Sequence, residues 1–206
     1  MGAMYGYIYE GTYKLDDFNK SGNSYTLKSN VPYYTSEANT QPGMPKYRDL
    51  NGDGVINTND CTFIGNGLPT HTGGFTNNFN YRDFDFSFFF QWSYGNDVLN
   101  ANRLMFESSW NRTRELNQFA SYADRWTIDN PTSNIPRATS SSSNRVFSSR
   151  IIEDGSFLRL KTLTLGYTVP RKVISRVGID QLRIYFAAQN LFTISNYSGY
   201  DPEVSI

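Results

Sequence analysis

At 206 residues, with 19 Lys+Arg against 19 Asp+Glu, the chain carries no formal net charge and has room for one large domain or two small ones. That balance excludes the basic footprint of a nucleic-acid binder, and a single cysteine, Cys61, excludes an internal disulfide and any cysteine-cluster metal site. Aromatic residues make up 16% of the chain beside only 18% charged ones, a composition suited to protein interfaces, sugar surfaces and membrane–water boundaries.

The opening "MGAMYGYIYEGTYKL" has neither the basic start nor the unbroken apolar run of a secretory leader, and it reads as a strand. No window reaches the ~20 apolar residues of a membrane helix. Residues 16–71 form a long polar connection punctuated by Pro32, Pro42 and Pro45, and the Asp-rich run Asp49–Asp60 lies inside it. "HTGGFTNNFNY" and "DFDFSFFFQWSY" follow as two strands joined by a tight turn near Arg82–Asp83. A second long connection covers roughly 96–150. Within it Leu104, Trp110, Leu116, Phe119 and Trp126 recur at near-turn intervals, which predicts a helical insertion over about 100–127 before the serine-rich "ATSSSSN". Two more strands, "GSFLRLKTLTLGYTVP" and "QLRIYFAAQNLFTI", complete an all-β, antiparallel pattern in which short and long connections alternate.

The second of these strands has an unusual face. Phe84, Phe86, Phe88, Phe90, Trp92 and Tyr94 fall on one side, whereas Asp83, Asp85, Ser87, Gln91 and Ser93 fall on the other, with Phe89 the one exception. A face made of large rings needs an apolar neighbour, either a second sheet or lipid. The run exceeds the ~5–6 residues of an ordinary strand and matches the ~9–11 that cross a bilayer when tilted, which favours lipid. Phe75, Phe79 and Tyr81, and later Leu182, Ile184, Phe186 and Ala188, repeat the alternation.

"DLNGDGVINTND" has the spacing of a calcium loop: Asp49, Asn51 and Asp53 at positions one, three and five, the Val55 carbonyl at seven, Asn57 at nine and Asp60 at twelve. Gly54, at six, permits the sharp turn. Asp replaces the usual bidentate Glu at twelve, and no helix leads into the loop. Two readings follow: an ion-holding loop, or a clip closed by Asx-type hydrogen bonds. Neither is catalytic. The lone His71 has no carboxylate or serine partner at a fixed spacing, and the chain contains no nucleophile elbow, phosphate loop or metal-hydrolase motif, so no enzyme is expected.

Three ordered blocks carry a family resemblance. "YRDLNGDGVINTNDCTFIGNGLPTHTGGFTNNFNYRDFDFSFFFQWSYGNDVLN", "IIEDGSFLRLKTLTLGYTVPRKVI" and "LRIYFAAQNLFTISNYSGYDPEV" resemble the late barrel region of SusC/RagA-type, TonB-linked nutrient receptors of the Gram-negative outer membrane. The resemblance runs over nearly the whole chain. It implies the C-terminal part of a large transmembrane β-barrel of roughly 22 strands, without the N-terminal plug through which TonB acts, and hence a piece that does not transport by itself. The parent would import oligosaccharides or peptides together with a SusD-like surface lipoprotein. The ring face of residues 84–94 would meet outer-membrane lipid, and the Asp-rich loop would be a structural, calcium-type brace. Long connections face outward in such barrels, which makes Trp110, Trp126, Tyr197 and Tyr200 candidates for ligand or lipoprotein contact. The alternative is a soluble, calcium-braced β-sandwich that binds glycans, with the ring face sealed under a second sheet; a dockerin-like adaptor would need a second Asp-rich loop, which the sequence lacks.

Overall fold

The computed structural model describes residues 2–108, 116–139 and 146–203. They divide into two compact units: one from the residues up to Gly67 with Leu99–Glu153, the other from Leu68–Val98 with the residues from Asp154 onward.

The first unit is a set of short ladders. The opening segment is two strands rather than one, β1 (Ala3–Gly6) and β2 (Tyr9–Thr12). The connection over 16–71 is likewise folded, into β3 (Phe18–Ser21), β4 (Ser24–Leu27), β5 (Tyr33–Tyr34), β6 (Pro45–Tyr47), β7 (Val55–Ile56) and β8 (Thr62–Asn66). These pair as β1–β8, β2–β6, β3–β4 and, in parallel, β5–β7. Strands of two to five residues are too short to display a period, which is why they read as loop in the sequence. Tyr13, Phe18 and Leu27 are buried together, with Tyr25, Val31, Tyr33 and Met44 packed against them.

Among the described residues of the predicted helical insertion, helix is confined to short pieces. Helix α1 covers only Ala101–Phe106, capped by Asn100, whose side chain accepts from the Arg103 N–H. A 3₁₀ turn follows at Ala120–Asp124, and the centre of the predicted helix, Trp110 included, lies outside the described residues. Glu107 ends α1 and is held by Arg103 (2.8 Å), Arg150 (2.8 Å) and Ser121 (2.6 Å). A helix this short has few internal bonds to offset its nucleation cost.

In the second unit, β9 (His71–Tyr81), β10 (Phe84–Tyr94), β13 (Phe157–Val169) and β14 (Leu182–Ser195) form one antiparallel sheet in the order β14–β13–β10–β9. Between them in sequence, β11 (Asp97–Leu99) and β12 (Ile152–Asp154) make a separate two-stranded ladder. The β9–β10 turn at Arg82–Asp83 is as expected, with Arg82 in the left-handed region at φ 54°. The β13–β14 connection carries α2 (Arg171–Ile174) and closes through Gly178 at φ 74°. Strand β10 has 11 residues; at ~3.3 Å per residue that is about 36 Å, or roughly 25 Å of height at a ~45° tilt.

The ladder sorts the side chains onto two faces. Phe84, Phe86 and Phe88 stand opposite Tyr81, Phe79 and Asn77 on β9, and opposite Tyr167, Leu165 and Leu163 on β13. The β13 residues in turn face Ile184, Phe186 and Ala188 on β14. The result is a continuous apolar sheet surface in which Phe79 stacks on Phe86 (6.1 Å between centroids) and Phe90 meets Phe192 edge-on (6.2 Å). Among the described residues it stays uncovered: Phe75, Phe79, Ile184 and Phe186 are each at least half exposed. The sandwich alternative required a sheet over this surface. Phe89, the exception in the alternation, is accounted for by Gly74, since a Cβ there would meet the Phe89 ring at 2.6 Å; the ring fills the space that the glycine leaves.

Within this sheet the register breaks at one place, between Leu160 and Thr162 on β13, against both neighbours, with Asn190 of β14 at φ 50° beside it. This bulge puts Leu158 and Leu160 on the ring face although their sequence parity is opposite to that of Leu163 and Leu165.

Candidate functional site

The polar face of the four-stranded sheet carries its charges in pairs. Asp85 on β10 binds Arg183 on β14 through two contacts, Nε to Oδ1 at 3.2 Å and Nη2 to Oδ2 at 2.6 Å. The pair crosses over β13 at Gly166, where a Cβ would collide with both partners. No other residue type leaves that crossing open.

A second cluster lies toward the other end of the strands. Arg159, whose side chain is 7% exposed, donates from Nε to Thr193 Oγ1 (2.9 Å), from Nη1 to Glu203 Oε2 (2.7 Å) and from Nη2 to Asp201 Oδ1. Lys161, turned to the polar side at the bulge, reaches Gln91 Oε1 at 2.7 Å and Glu203 Oε1 at 3.5 Å, and Gln91 also donates to Glu203. Asp201 and Glu203 come from the segment after β14. The residues Asn196–Glu203 therefore fold back over the polar face as a strap, with Arg159 as its main anchor. The strap is shaped from within: Tyr197 N–H donates to Ser195 Oγ (3.1 Å), the Tyr197 ring covers Gly199, Pro202 is buried, and Glu203 N–H donates to Asp201 Oδ1 (2.8 Å). Burial opposes ionisation of Asp201. The Glu203 N–H and the Arg159 guanidinium outweigh it and hold the carboxyl below its ordinary range.

This placement revises the contact residues expected from the sequence. Tyr200 is 96% exposed and Tyr197 is half-buried on the strap, so both belong to the polar face rather than to a free outer loop. Trp126 is buried under Arg137 and against Gly43 in the first unit, which makes it a packing residue. Trp110 is outside the described residues. Alternation in the sequence put Asp85 on the polar side but gave no sign of the Arg159 cluster, because the Arg159–Asp201 contact spans 42 residues.

In the Asp49–Asp60 loop the side-chain oxygens are engaged by backbone N–H groups. Asp49 accepts from Gly52 (2.7 Å) and Gly54 (2.8 Å), Asn51 from Asp53 (3.0 Å), Asp53 from Val55 (2.8 Å) and Asn57 from Asn59 (2.9 Å). The Val55 carbonyl takes the Asn57 amide at 2.9 Å. Asp60 has no exposed surface, and its two oxygens accept from Leu50 and Asn57, each at 2.8 Å. Burial works against its charge, yet these N–H groups keep its carboxyl below the usual value. Among the described residues no group of three or more His, Cys, Asp or Glu side chains gathers. The loop's own N–H groups thus engage an oxygen of each of Asp49, Asn51, Asp53, Asn57 and Asp60, with Asp49 half-buried and Asn51 and Asp53 on the exposed rim. His71, at the strand end, accepts from Trp92 Nε1 (3.2 Å) and stacks on Tyr94.

No family model matches the chain. Among curated proteins it is 33% identical over 205 residues to TonB-dependent receptor P3 of Formosa agariphila, matching 100% of this chain and 19% of the relative. It is 41% identical over 164 residues to receptor P26 of the same organism (79% and 16%), and 29% identical over 170 residues to TonB-dependent receptor SusC of Bacteroides thetaiotaomicron (82% and 16%). Its fold matches the RagAB peptide transporter with a TM-score of 0.70 at 24% identity, over 98% of this chain and 20% of that one. The closed-closed state of RagAB matches at 0.68. The chain spans about a fifth of the length of the curated relatives it matches.

Proposed function

The chain is a section of a TonB-dependent receptor of the SusC/RagA type, an outer-membrane family, and we propose that its parent imports oligosaccharides or peptides through a barrel to which the four-stranded sheet contributes wall. One observation carries this reading: a sheet of 11- to 14-residue strands whose one face is continuous, exposed and apolar while the other is polar with paired charges. In a barrel the first face meets lipid, through Phe84, Phe86, Phe88 and Phe90 with Trp92 and Tyr94 at the interfacial end, and the second lines the lumen. A SusD-like lipoprotein is the proposed surface partner, in keeping with the SusC relative. Coupling to TonB would run through a plug elsewhere in the parent. Four long strands supply under a third of such a barrel, so the section alone is not expected to transport, and no catalytic role is assigned to it.

Spin labels in the intact parent test the arrangement. Labels replacing Phe86 or Phe186 should be relaxed by oxygen dissolved in lipid, and labels at Ser87 or Gln189 by a water-soluble nickel chelate; the reverse pattern refutes it.

For the Asp-rich loop we infer a clip that additionally takes Ca²⁺. The lone pairs of Asp49, Asn51 and Asp53 not used by N–H groups would serve the ion, whereas buried Asp60 closes the loop. So few available oxygens place it with weak sites, of order 10⁻⁴–10⁻³ M.

A further inference from the structure

The charges along the polar face cancel locally. Asp85 is matched by Arg183, Arg159 by Asp201 and Glu203, and Lys161 shares Glu203. Three cations meet three anions, all in direct contact. Much of the remaining face consists of hydroxyls and amides, Thr76, Asn78, Ser87, Thr164 and Gln189 among them. Such a surface discriminates. A cargo carrying charges would give up water without finding a counter-charge that is not already paired, whereas hydroxyl groups find donors and acceptors of their own kind.

Above this face stands Tyr200. Its ring is 96% exposed, yet the backbone beneath it is fixed, because the next residue, Asp201, is tied to Arg159 and to the Glu203 N–H. Buried Pro202 stiffens the same turn. A rigidly mounted tyrosine loses little freedom on contact and offers an apolar ring with a polar tip. Its location follows from chain connectivity: the strap leaves β14 at Ser195, the sheet end where the other strands lead into the long connections, and long connections mark the outer mouth of such barrels.

We propose that this stretch of wall receives an uncharged oligosaccharide and that Tyr200, carried on the Arg159-anchored strap, is the ring on which a sugar stacks at the outer mouth of the lumen. The inference rests on the polar face lining the transport lumen.

The test uses the full-length parent in detergent, offered three immobilised libraries: neutral oligosaccharides of four to ten sugars, uronate- or sulfate-bearing oligosaccharides, and mixed peptides of eight to twelve residues. Capture from the neutral library is expected, unchanged in 0.5 M NaCl. It should weaken about tenfold in Tyr200→Ala and little in Tyr200→Phe, which keeps the ring. Since the side chain is exposed, both variants should melt with the parent, and that melting is the folding control. Capture only from the charged or peptide libraries overturns the neutral-glycan inference and leaves import standing. Neutral capture that Tyr200→Ala does not weaken overturns the stacking role. No capture from any library counts against the inference and the import reading together.

Discussion

Replacing Arg159 by Met should undock the strap while leaving the sheet intact. Two of the three contacts that Arg159 makes reach the strap, to Glu203 at 2.7 Å and to Asp201; the third, to Thr193, stays within the sheet. A hydrogen bond to a charged group contributes roughly 1.5–3 kcal/mol when buried. Arg159 is buried, but Asp201 and Glu203 are 51% and 38% exposed, so water screens about half of that. Roughly 1–1.5 kcal/mol for each contact gives about 2–3 kcal/mol for docking. Lys161 remains to hold Glu203, but at 3.5 Å between half-exposed groups it contributes under about 1 kcal/mol. A loss of 2–3 kcal/mol should speed hydrogen exchange at the Tyr197 and Glu203 amides by roughly 30- to 150-fold, while exchange in β10 stays as it was. Acid should act on the same joint. Asp201 is held below its ordinary value when docked, so its contribution is complete above about pH 4 and is lost as pH falls through the lower, docked value. If the strap amides exchange at the same rate in Arg159→Met as in the parent, the anchor is misassigned.

Asp60→Asn should cost about 2–4 kcal/mol, because the buried amide would turn an NH₂ group toward a backbone N–H now served by a carboxylate oxygen; an unchanged urea midpoint would contradict the clip. The same stability should fade below about pH 4, as the depressed Asp60 value is approached from above. Arg82→Gly should stabilise the β9–β10 hairpin by about 0.5–1 kcal/mol, since a left-handed φ of 54° strains a residue with a Cβ; a lower midpoint would show that the Arg82 side chain matters more than its backbone. Calcium at 5 mM, set against chelator, should add about 1–2 kcal/mol if the loop binds weakly, and coincident melting curves would remove the ion from the proposal.

How much of this was legible depended on strand length. Alternation over 83–94 gave the ring face, the polar face and the turn, because eleven paired residues repeat a period often enough to be read. The ladders over 16–71 were not legible: β5 and β7 have two residues each, and only their mutual pairing, Tyr33 with Val55 and Tyr34 with Ile56, makes them strands. Helical spacing over 100–127 misled for a related reason. Trp126 is buried and Phe119 meets Phe106 at 5.5 Å, but through a folded-back chain rather than along one helix face. The bulge, by contrast, is written in the parity of the leucines. Leu158 and Leu160 are even-numbered and Leu163 and Leu165 odd, so a single sheet face can hold all four only if an extra residue sits between them, and the register break falls there.

That break ties the wall to the strap. An unbroken β13 with Leu163 and Leu165 on the ring face would place Leu158 and Leu160 on the polar face and turn Arg159 toward the rings. The guanidinium would then stand on the lipid side beside Trp92 near the interfacial end, at a cost of roughly 1 kcal/mol, less than the roughly 2–4 of the midplane, and Asp201 and Glu203 would have no anchor. With the bulge, the apolar half of the strand stays on one side and Arg159 and Lys161 arrive together on the other. Lys161 is itself the extra residue, so deleting it should restore unbroken alternation, with Leu158, Leu160, Leu163 and Leu165 still on the ring face and Arg159 still on the polar face. The strap would lose only the weak Lys161–Glu203 contact, so its amides should exchange no more than about fivefold faster and the parent should still insert into the membrane. A deletion variant that fails to insert, or that frees its strap, would mean that the bulge does more than sort the two faces by the parity of this strand.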